Sequence, residues 1–390
     1  MADGPTSSVS TPPQRIAFFA DDARVFPEEL TGLLEKLAAS HHRVRCFAPD
    51  WPDHVAKLAT ASGVETDTYP IELDENWSLM RQRALRKKLA NLVTAWAPDQ
   101  VIAIGPASAL RILPTIKPGQ TRRIAILDRF VLETSPPPSR STSDETDRTL
   151  NKAKISELAK VSDIIICHTN QDRQALASAM ENLPPAQNCT VHALPGYGVN
   201  TTVLKHQHLP PTAGAISFLM TAPMDHWKGV LEYSAAASLV TGRNSNAVFR
   251  LQSAVGRTPN AIAREQIFKS NRITPVETSV GLAQAIAQAH VVVVASHYDG
   301  MPRELLAALA LGRPLICADI SGSREAIDER MNGIIFERAN PNALADACES
   351  LLRRPELLTA MGRSSRQKAE RRFSEDAVLR SYLSLMGLSA

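Results

Sequence analysis

Short, uninterrupted apolar runs recur along this chain, and each is separated from the next by a segment of helical periodicity. The runs are Arg15–Ala20, Arg43–Ala48, Gln100–Ile104, Arg123–Leu127, Asp163–Cys167, Ala215–Met220, Val248–Gln252, His290–Ala295 and Pro314–Ala318. A strand that faces water on one side alternates polar and apolar residues. A run such as His-Val-Val-Val-Val-Ala at 290–295 does not alternate, so it reads as a strand covered on both faces. Between the runs lie amphipathic stretches. Pro27 to Ser40 carries Leu30, Leu33, Leu34 and Leu37 on one stripe, and Gly229–Val240, Pro302–Leu311 and Asn342–Leu352 follow the same logic. Strand–helix–strand repetition demands a parallel sheet with helices on both faces, so the fold class is α/β.

The chain has 390 residues, enough for two or three domains. The rhythm breaks once, at 206–212 (His-Gln-His-Leu-Pro-Pro-Thr), which reads as a linker. The expected division is a leader at 1–14, one domain at 15–205, a second at 213–375 and a closing segment at 376–390, within which Ala377 to Leu388 is an amphipathic helix. No repeat of solenoid length is visible.

Composition narrows the function classes. The net charge of +3 argues against a dedicated nucleic-acid binder. The five cysteines, Cys46, Cys167, Cys189, Cys317 and Cys348, are dispersed without a Cys-x-x-Cys pair and read as reduced thiols. His41-His42 and His206-x-His208 have no cysteine or carboxylate cluster beside them, so no metal is expected. Residues 1–14 lack a basic start and an apolar core and are expected to be disordered rather than a secretion signal. No apolar run approaches the ~20 residues of a membrane span, so the expected location is cytoplasmic or peripheral on a membrane. The segment 133–149, with three consecutive prolines, is expected to be a mobile loop, either a lid or a solvated insertion.

The second half carries ordered motifs. Ser296-His297-Tyr298-Asp299-Gly300-Met301-Pro302-Arg303-Glu304-Leu305-Leu306-Ala307-Ala308 is followed by Leu311-Gly312-Arg313-Pro314-Leu315-Ile316. Then come Asp319-Ile320-Ser321-Gly322-Ser323-Arg324-Glu325, Asn332-Gly333-Ile334-Ile335-Phe336, Pro341-Asn342-Ala343-Leu344-Ala345 and Phe373-Ser374. Upstream stand Lys228-Gly229-Val230 and Leu194-Pro195-Gly196-Tyr197-Gly198-Val199-Asn200-Thr201. This ordered set, over residues 160–375, resembles the GT-B glycosyltransferases of family 4. The first half resembles them only in its α/β rhythm.

The resemblance implies two Rossmann-like domains facing a cleft, with the C-terminal helix crossing back to the first domain. It implies a nucleotide-sugar donor as substrate and no metal. A hexose would pass, with retained configuration, to a lipid- or glycan-linked acceptor in envelope or polysaccharide synthesis. Donor contacts fall on Lys228, Glu304, Glu325, Gly300, Gly322 and Ser323, and the positions nearest the transferred sugar on Asp299 and Asp128. Lys228 precedes a helix start, where the ammonium and the helix dipole reinforce each other toward a diphosphate. The basic stretch Arg81–Lys88, flanked by Trp77 and Trp96, is either a solvated helix face or a contact with an anionic membrane.

Three departures stand against that pattern. The second carboxylate of the signature falls on Ala307, with Glu304 one turn earlier as its candidate replacement. The family's arginine falls on Ala222 or Pro223, leaving His226 and Arg257 as stand-ins. The first domain's histidine is replaced by Ile126-Leu127-Asp128-Arg129. The sequence therefore also admits a second reading, a catalytically degenerate member that scaffolds or regulates glycan assembly.

Overall fold

The protein is described from a computed structural model over residues 12–69, 79–128, 131–132, 149–181, 189–254, 261–297 and 300–389. Residues 1–11 of the leader, most of the segment 133–149, Asp299, Trp77 and Arg257 lie outside the described residues.

The first half places strands at Arg15–Ala20 (β1), Arg43–Ala48 (β2), Glu65–Thr68 (β3), Gln100–Ile104 (β4), Arg122–Leu127 (β5), Val131–Leu132 (β6), Thr149–Leu150 (β7), Ile164–Cys167 (β8) and Thr190–Ala193 (β9). The second half adds Ile216–Thr221 (β10), Ala247–Gln252 (β11), Ile273–Val276 (β12), Val291–Val294 (β13), Leu315–Ala318 (β14) and Gly333–Phe336 (β15). Among the described residues they form two large sheets, in the orders β3-β2-β1-β4-β5-β8-β9 and β12-β11-β10-β13-β14-β15, while β6 pairs with β7 alone. The pairings within both large sheets are parallel. Both run outward from their first strand, then restart on its other side. That reversal opens a crevice at the carboxyl ends of β1 and β4 in one sheet and of β10 and β13 in the other.

The apolar runs occupy the sheet interiors as their composition requires. β4, β8, β10, β13 and β14 are buried at every position. One sequence expectation changes. Pro27 to Ser40 is not one helix but two, Val25–Glu29 and Thr31–Ala39. The junction is Leu30, at φ −103° and ψ 0°. The Thr31 hydroxyl donates to the Pro27 carbonyl at 2.8 Å, taking an acceptor from the turn where the two helices meet.

Two further contacts set how the halves meet. Arg313 is fully buried behind the linker. Its guanidinium donates to the carbonyls of Gln207 at 2.8 Å and His208 at 3.2 Å, and to those of Ile286 at 3.1 Å and Ala287 at 2.8 Å. Burial lowers its pKa to about 10, and it remains a cation at neutral pH. The chain then returns. Val199 N–H donates to Phe373 O at 2.7 Å and Glu375 N–H to Val199 O at 3.0 Å. The last helix, Glu375–Leu385, buries Val378, Leu379, Tyr382 and Leu383 in the core of the first domain, against residues such as Ile16, Phe18 and Leu34. Leu383 is fully enclosed there, so Leu383→Ala should cost about 2–5 kcal/mol in urea unfolding, although it lies in the chain's last helix. A cost below 1 kcal/mol would contradict this packing.

Candidate functional site

A cleft of about 770 Å³ lies between the two sheets, at the crevices just described. Asp21 and Asp22 enter it directly after β1, and Asp128 directly after β5. From the second domain come Thr221 at the end of β10, then Ala222, Pro223, Asp225, Trp227 and Lys228. Gln252 ends β11, and Pro302, Arg303 and Glu304 open the helix Arg303–Ala310.

Lys228 closes the single 3-10 turn His226–Lys228 and is followed by Gly229 at φ +76°. A side chain there would be strained, and its Cβ would stand 2.1 Å from the Ala295 carbonyl oxygen, so only glycine lets this turn rest on the end of β13. The His297 N–H donates to the Trp227 carbonyl at 2.8 Å and fastens the same contact. Lys228 is 7% exposed. Its Nζ lies 3.5 Å from Glu304 Oε1 and 4.5 Å from the centroid of the Trp227 ring. Glu304 stands in the first turn of its helix, where the dipole favours a carboxylate. Two longer-range features reinforce the site: the helix Val230–Thr241 begins at Gly229, and His297 Nε2 stands 3.2 Å from Glu232 Oε1 in that helix's first turn.

Gly300 and Gly322 make the close approaches that the motifs imply. A Cβ on Gly322 would lie 1.7 Å from the Gly300 carbonyl oxygen, and one on Gly300 would lie 2.6 Å from the Asp128 carbonyl oxygen and 3.2 Å from His168 Cβ. Gly300 thus seats the second domain against the first at Asp128 and His168, and Gly322 backs the Gly300 segment from within the second domain. Ser323 is fully buried rather than presented at the surface.

The sequence reading gave Glu325 to a donor, but the structure commits its carboxylate elsewhere. It accepts from the Asn170 N–H of the first domain and from Arg372 at 2.5 Å. Beside it the Ser321 hydroxyl donates to Asp172 Oδ2 at 3.2 Å. Glu325 therefore clasps the two domains and is not among the cleft-lining residues. Asp299, between His297 and Gly300, is outside the described residues, as is the stand-in Arg257. The other stand-in, His226, is exposed and is not among the lining residues.

Two cations that sequence reasoning missed do line the cleft, Arg24 and Arg303. The signal for Arg303 was its place directly after Pro302 at the start of the signature helix. Arg24 follows β1 in a loop with no motif. It donates from Nε to Asp22 Oδ1 at 2.8 Å. That bond and the charges of Asp22, Glu28 and Asp50 outweigh partial burial and raise its pKa. Asp21 is anchored more firmly. It accepts from Tyr69 Oη at 2.8 Å, Ser108 Oγ at 2.9 Å and Arg111 at 2.6 Å. Burial opposes the Arg111 charge, and the carboxylate of Asp21 more than restores it.

Elsewhere in the first domain, Arg86, Lys87 and Lys88 are exposed along the helix Leu79–Trp96, whereas Leu89 and Val93 are buried. The side chains of Arg81 and Arg83 lie outside the described residues. Among the described residues no helix is long and apolar enough to cross a membrane. Among them, too, no group of three or more histidine, cysteine or acidic side chains is placed to hold a metal ion.

Comparison with known proteins agrees with this architecture. Residues 215–354 match the family model Glycosyl transferases group 1. A D-inositol 3-phosphate glycosyltransferase of Saccharomonospora viridis is 30% identical over 118 residues, which is 30% of this chain and 27% of that protein. The chain thus matches only about a quarter of that relative's length. Sucrose-phosphate synthase from Thermosynechococcus elongatus superposes with a TM-score of 0.73 at 17% identity, over 96% of this chain and 98% of the other. Anabaena HepE in complex with UDP-glucose superposes with a TM-score of 0.71 at 12% identity, over 96% and 99%. These superpositions show the fold shared by both domains.

The glycine contact is testable. Gly322→Ala should displace the Gly300 segment and destabilise the protein by about 2 kcal/mol or more. Thermal unfolding would read this, and an unchanged midpoint would contradict the 1.7 Å approach.

Proposed function

We propose that this chain, whose residues 215–354 form a glycosyl transferases group 1 domain within a GT-B fold, transfers a hexose from a nucleoside-diphosphate sugar to a hydroxyl of a glycan-linked acceptor, with retained anomeric configuration. One observation carries the proposal. A nearly buried lysine, Lys228, stands on the donor-domain wall of a cleft large enough for a nucleotide sugar, at the reversal point of the second sheet.

The leaving diphosphate gathers negative charge as the glycosidic bond breaks. In this assignment the Lys228 ammonium and Arg303 meet that charge. The N-termini of the helices Val230–Thr241 and Arg303–Ala310 add their dipoles, and no metal is required. Glu304 has two duties. Before the donor enters, it balances Lys228 at 3.5 Å. Once the diphosphate has taken that cation, the carboxylate is released to accept from ribose hydroxyls. Asp128, across the cleft, is the polar group of the first domain assigned to the transferred sugar. What relatives act on or bind supports the substrate class: one is named for D-inositol 3-phosphate, another is a poly(ribitol-phosphate) alpha-N-acetylglucosaminyltransferase, and one structural neighbour holds UDP-glucose.

The second reading, a scaffold without turnover, draws on the uncharged Ala222 and Pro223 in the cleft wall. Calorimetric titration with UDP, GDP and their hexose conjugates separates the two. We expect one nucleotide series to bind and Lys228→Ala to weaken it by about 10–100-fold, as for loss of a charged hydrogen bond. Absence of binding by every nucleotide would sink the transferase reading and leave the scaffold. Glu304→Gln should lower kcat/KM by roughly tenfold and discriminate less against the 2′-deoxyribose donor than the wild type does. Unchanged kinetics would remove Glu304 from the site.

A further inference from the structure

The second-domain wall of the cleft changes character along the sheet. Its charged lining residues, Asp225, Lys228, Arg303 and Glu304, all follow β10 or β13. From β11 to the helix Leu282–Ala287 the described lining residues are Gln252, Ala254, Thr278, Val280 and Leu282, and all are uncharged. Adjacent strands lie about 5 Å apart, so the ends of β11 and β12 stand roughly 5 and 10 Å outward from β10. A nucleotide whose diphosphate meets Lys228 can lay its base over this neutral end. Val280 and Leu282 are half-buried there and offer apolar surface to a ring face.

One polar side chain of this neutral end has a fixed orientation. Gln252 closes β11, opposite Thr221 of β10 and Val276 of β12, and is 8% exposed. Its Nε2 donates to the carbonyls of Glu277 at 3.2 Å and Val280 at 2.5 Å. The Val280 N–H donates to the same Glu277 carbonyl at 3.1 Å, so Gln252 holds both ends of one turn. Both partners of the amide are acceptors, which excludes the flipped orientation. The two N–H groups of Nε2 are therefore spent. Oε1 takes no hydrogen bond from the described residues and is the atom left for the cleft.

We propose that Gln252 determines the base of the donor, accepting from a ring N–H and so selecting uracil or guanine over cytosine and adenine. The inference rests on the donor assignment above. Uracil N3 and guanine N1 carry a hydrogen, whereas cytosine N3 and adenine N1 carry a lone pair. The Gln252 oxygen meets a donor in the first two bases and another acceptor in the other two. The two-bond pairing of a glutamine amide with adenine needs Nε2 as a donor, and here the turn has taken it.

The test is calorimetric titration of the full chain, Gln252→Met and Lys228→Ala with UDP, CDP, GDP and ADP. Within the series that binds, we expect UDP over CDP, or GDP over ADP, by about tenfold or more, because the wrong base leaves polar groups unpaired. In Gln252→Met that ratio should fall to within about twofold, although the turn is also loosened. The ratio compares two ligands on one protein, so a loss of folded protein does not change it. Lys228→Ala should weaken all the nucleotides together and keep the ratio. The inference is overturned if CDP or ADP binds as well as its partner, or if the ratio survives in Gln252→Met. Binding that needs Lys228 but ignores the base would sink this inference alone. A base preference that follows Gln252 and ignores Lys228 would sink the diphosphate assignment alone, and absence of binding by every nucleotide overturns both.

Discussion

The geometry of the cleft depends on a helix that belongs by sequence to one domain and by packing to the other. Glu375–Leu385 leaves the second sheet's territory and inserts Val378, Leu379, Tyr382 and Leu383 into the core of the first. The entry is tight. Gly198, at φ +80°, leaves no room for a side chain, because its Cβ would meet the Glu375 Cα at 2.7 Å. Tyr382 then donates from its hydroxyl to the Gly196 carbonyl at 3.1 Å and stacks on Tyr197, whose ring meets His168 edge-on at 5.0 Å. His168 lines the cleft. A continuous set of packed side chains thus runs from the end of the chain to the site. The two domains are joined by this second crossing as well as by the linker held on Arg313, which limits how they can separate. The two connections meet at the Val199–Ser374 bridge.

Glycines do for the site what that helix does for the domains. Gly229, Gly300 and Gly322 each stand where a Cβ would collide with backbone oxygen, at 2.1, 2.6 and 1.7 Å. Their role is contact distance, and it decides which polar groups reach the cleft. The turn on Gly229 brings Lys228 to Glu304, while the Gly300–Asp128 approach sets the depth of the opposing wall. Glu325 shows the converse. Its carboxylate lies next in sequence to the same glycine-bearing segment, but it is spent on Asn170 and Arg372 and so contributes to domain contact.

The fold was legible in the sequence where strands are covered on both faces, and illegible where they are not. β1, β2 and β4 lie where the apolar runs put them, and β10, β13 and β14 differ by a residue at their ends. In the two large sheets the strands without such a run are β3, β9, β12 and β15, and all four are sheet edges. An edge strand has one unpaired side and tolerates Glu65-Thr66-Asp67-Thr68, or Pro275 inside β12, because it need not complete a second ladder. The site divides in the same way. Lys228 and Glu304 could be placed at the cleft from sequence because the motifs that single them out, Lys228-Gly229 and Pro302-Arg303-Glu304, each contain a glycine or proline that fixes a helix start. Arg24, Glu28 and Asp50 were not, since loops after β1 and β2 carry no periodicity and their shared placement arises only when the sheet is assembled.

The loss of the second signature carboxylate at Ala307 looks from sequence alone like damage, and the packing shows why it need not be. Ala307 is 4% exposed and belongs to an apolar cluster with Leu305, Leu309 and Phe373. A longer acidic side chain there would have to leave that cluster or bury its charge, a cost of several kcal/mol without a partner. Glu304 is three residues nearer the helix start, about 4.5 Å along the axis. At that place a carboxylate gains the dipole of the helix N-terminus and the neighbouring ammonium of Lys228. In the proposed reading Glu304 takes the place of that carboxylate, at a position where two favourable fields meet rather than one where this core would penalise the charge. The lysine has this carboxylate as a partner at 3.5 Å, and in the proposed reading a diphosphate that takes over the ammonium releases Glu304 as a hydrogen-bond acceptor for the rest of the nucleotide.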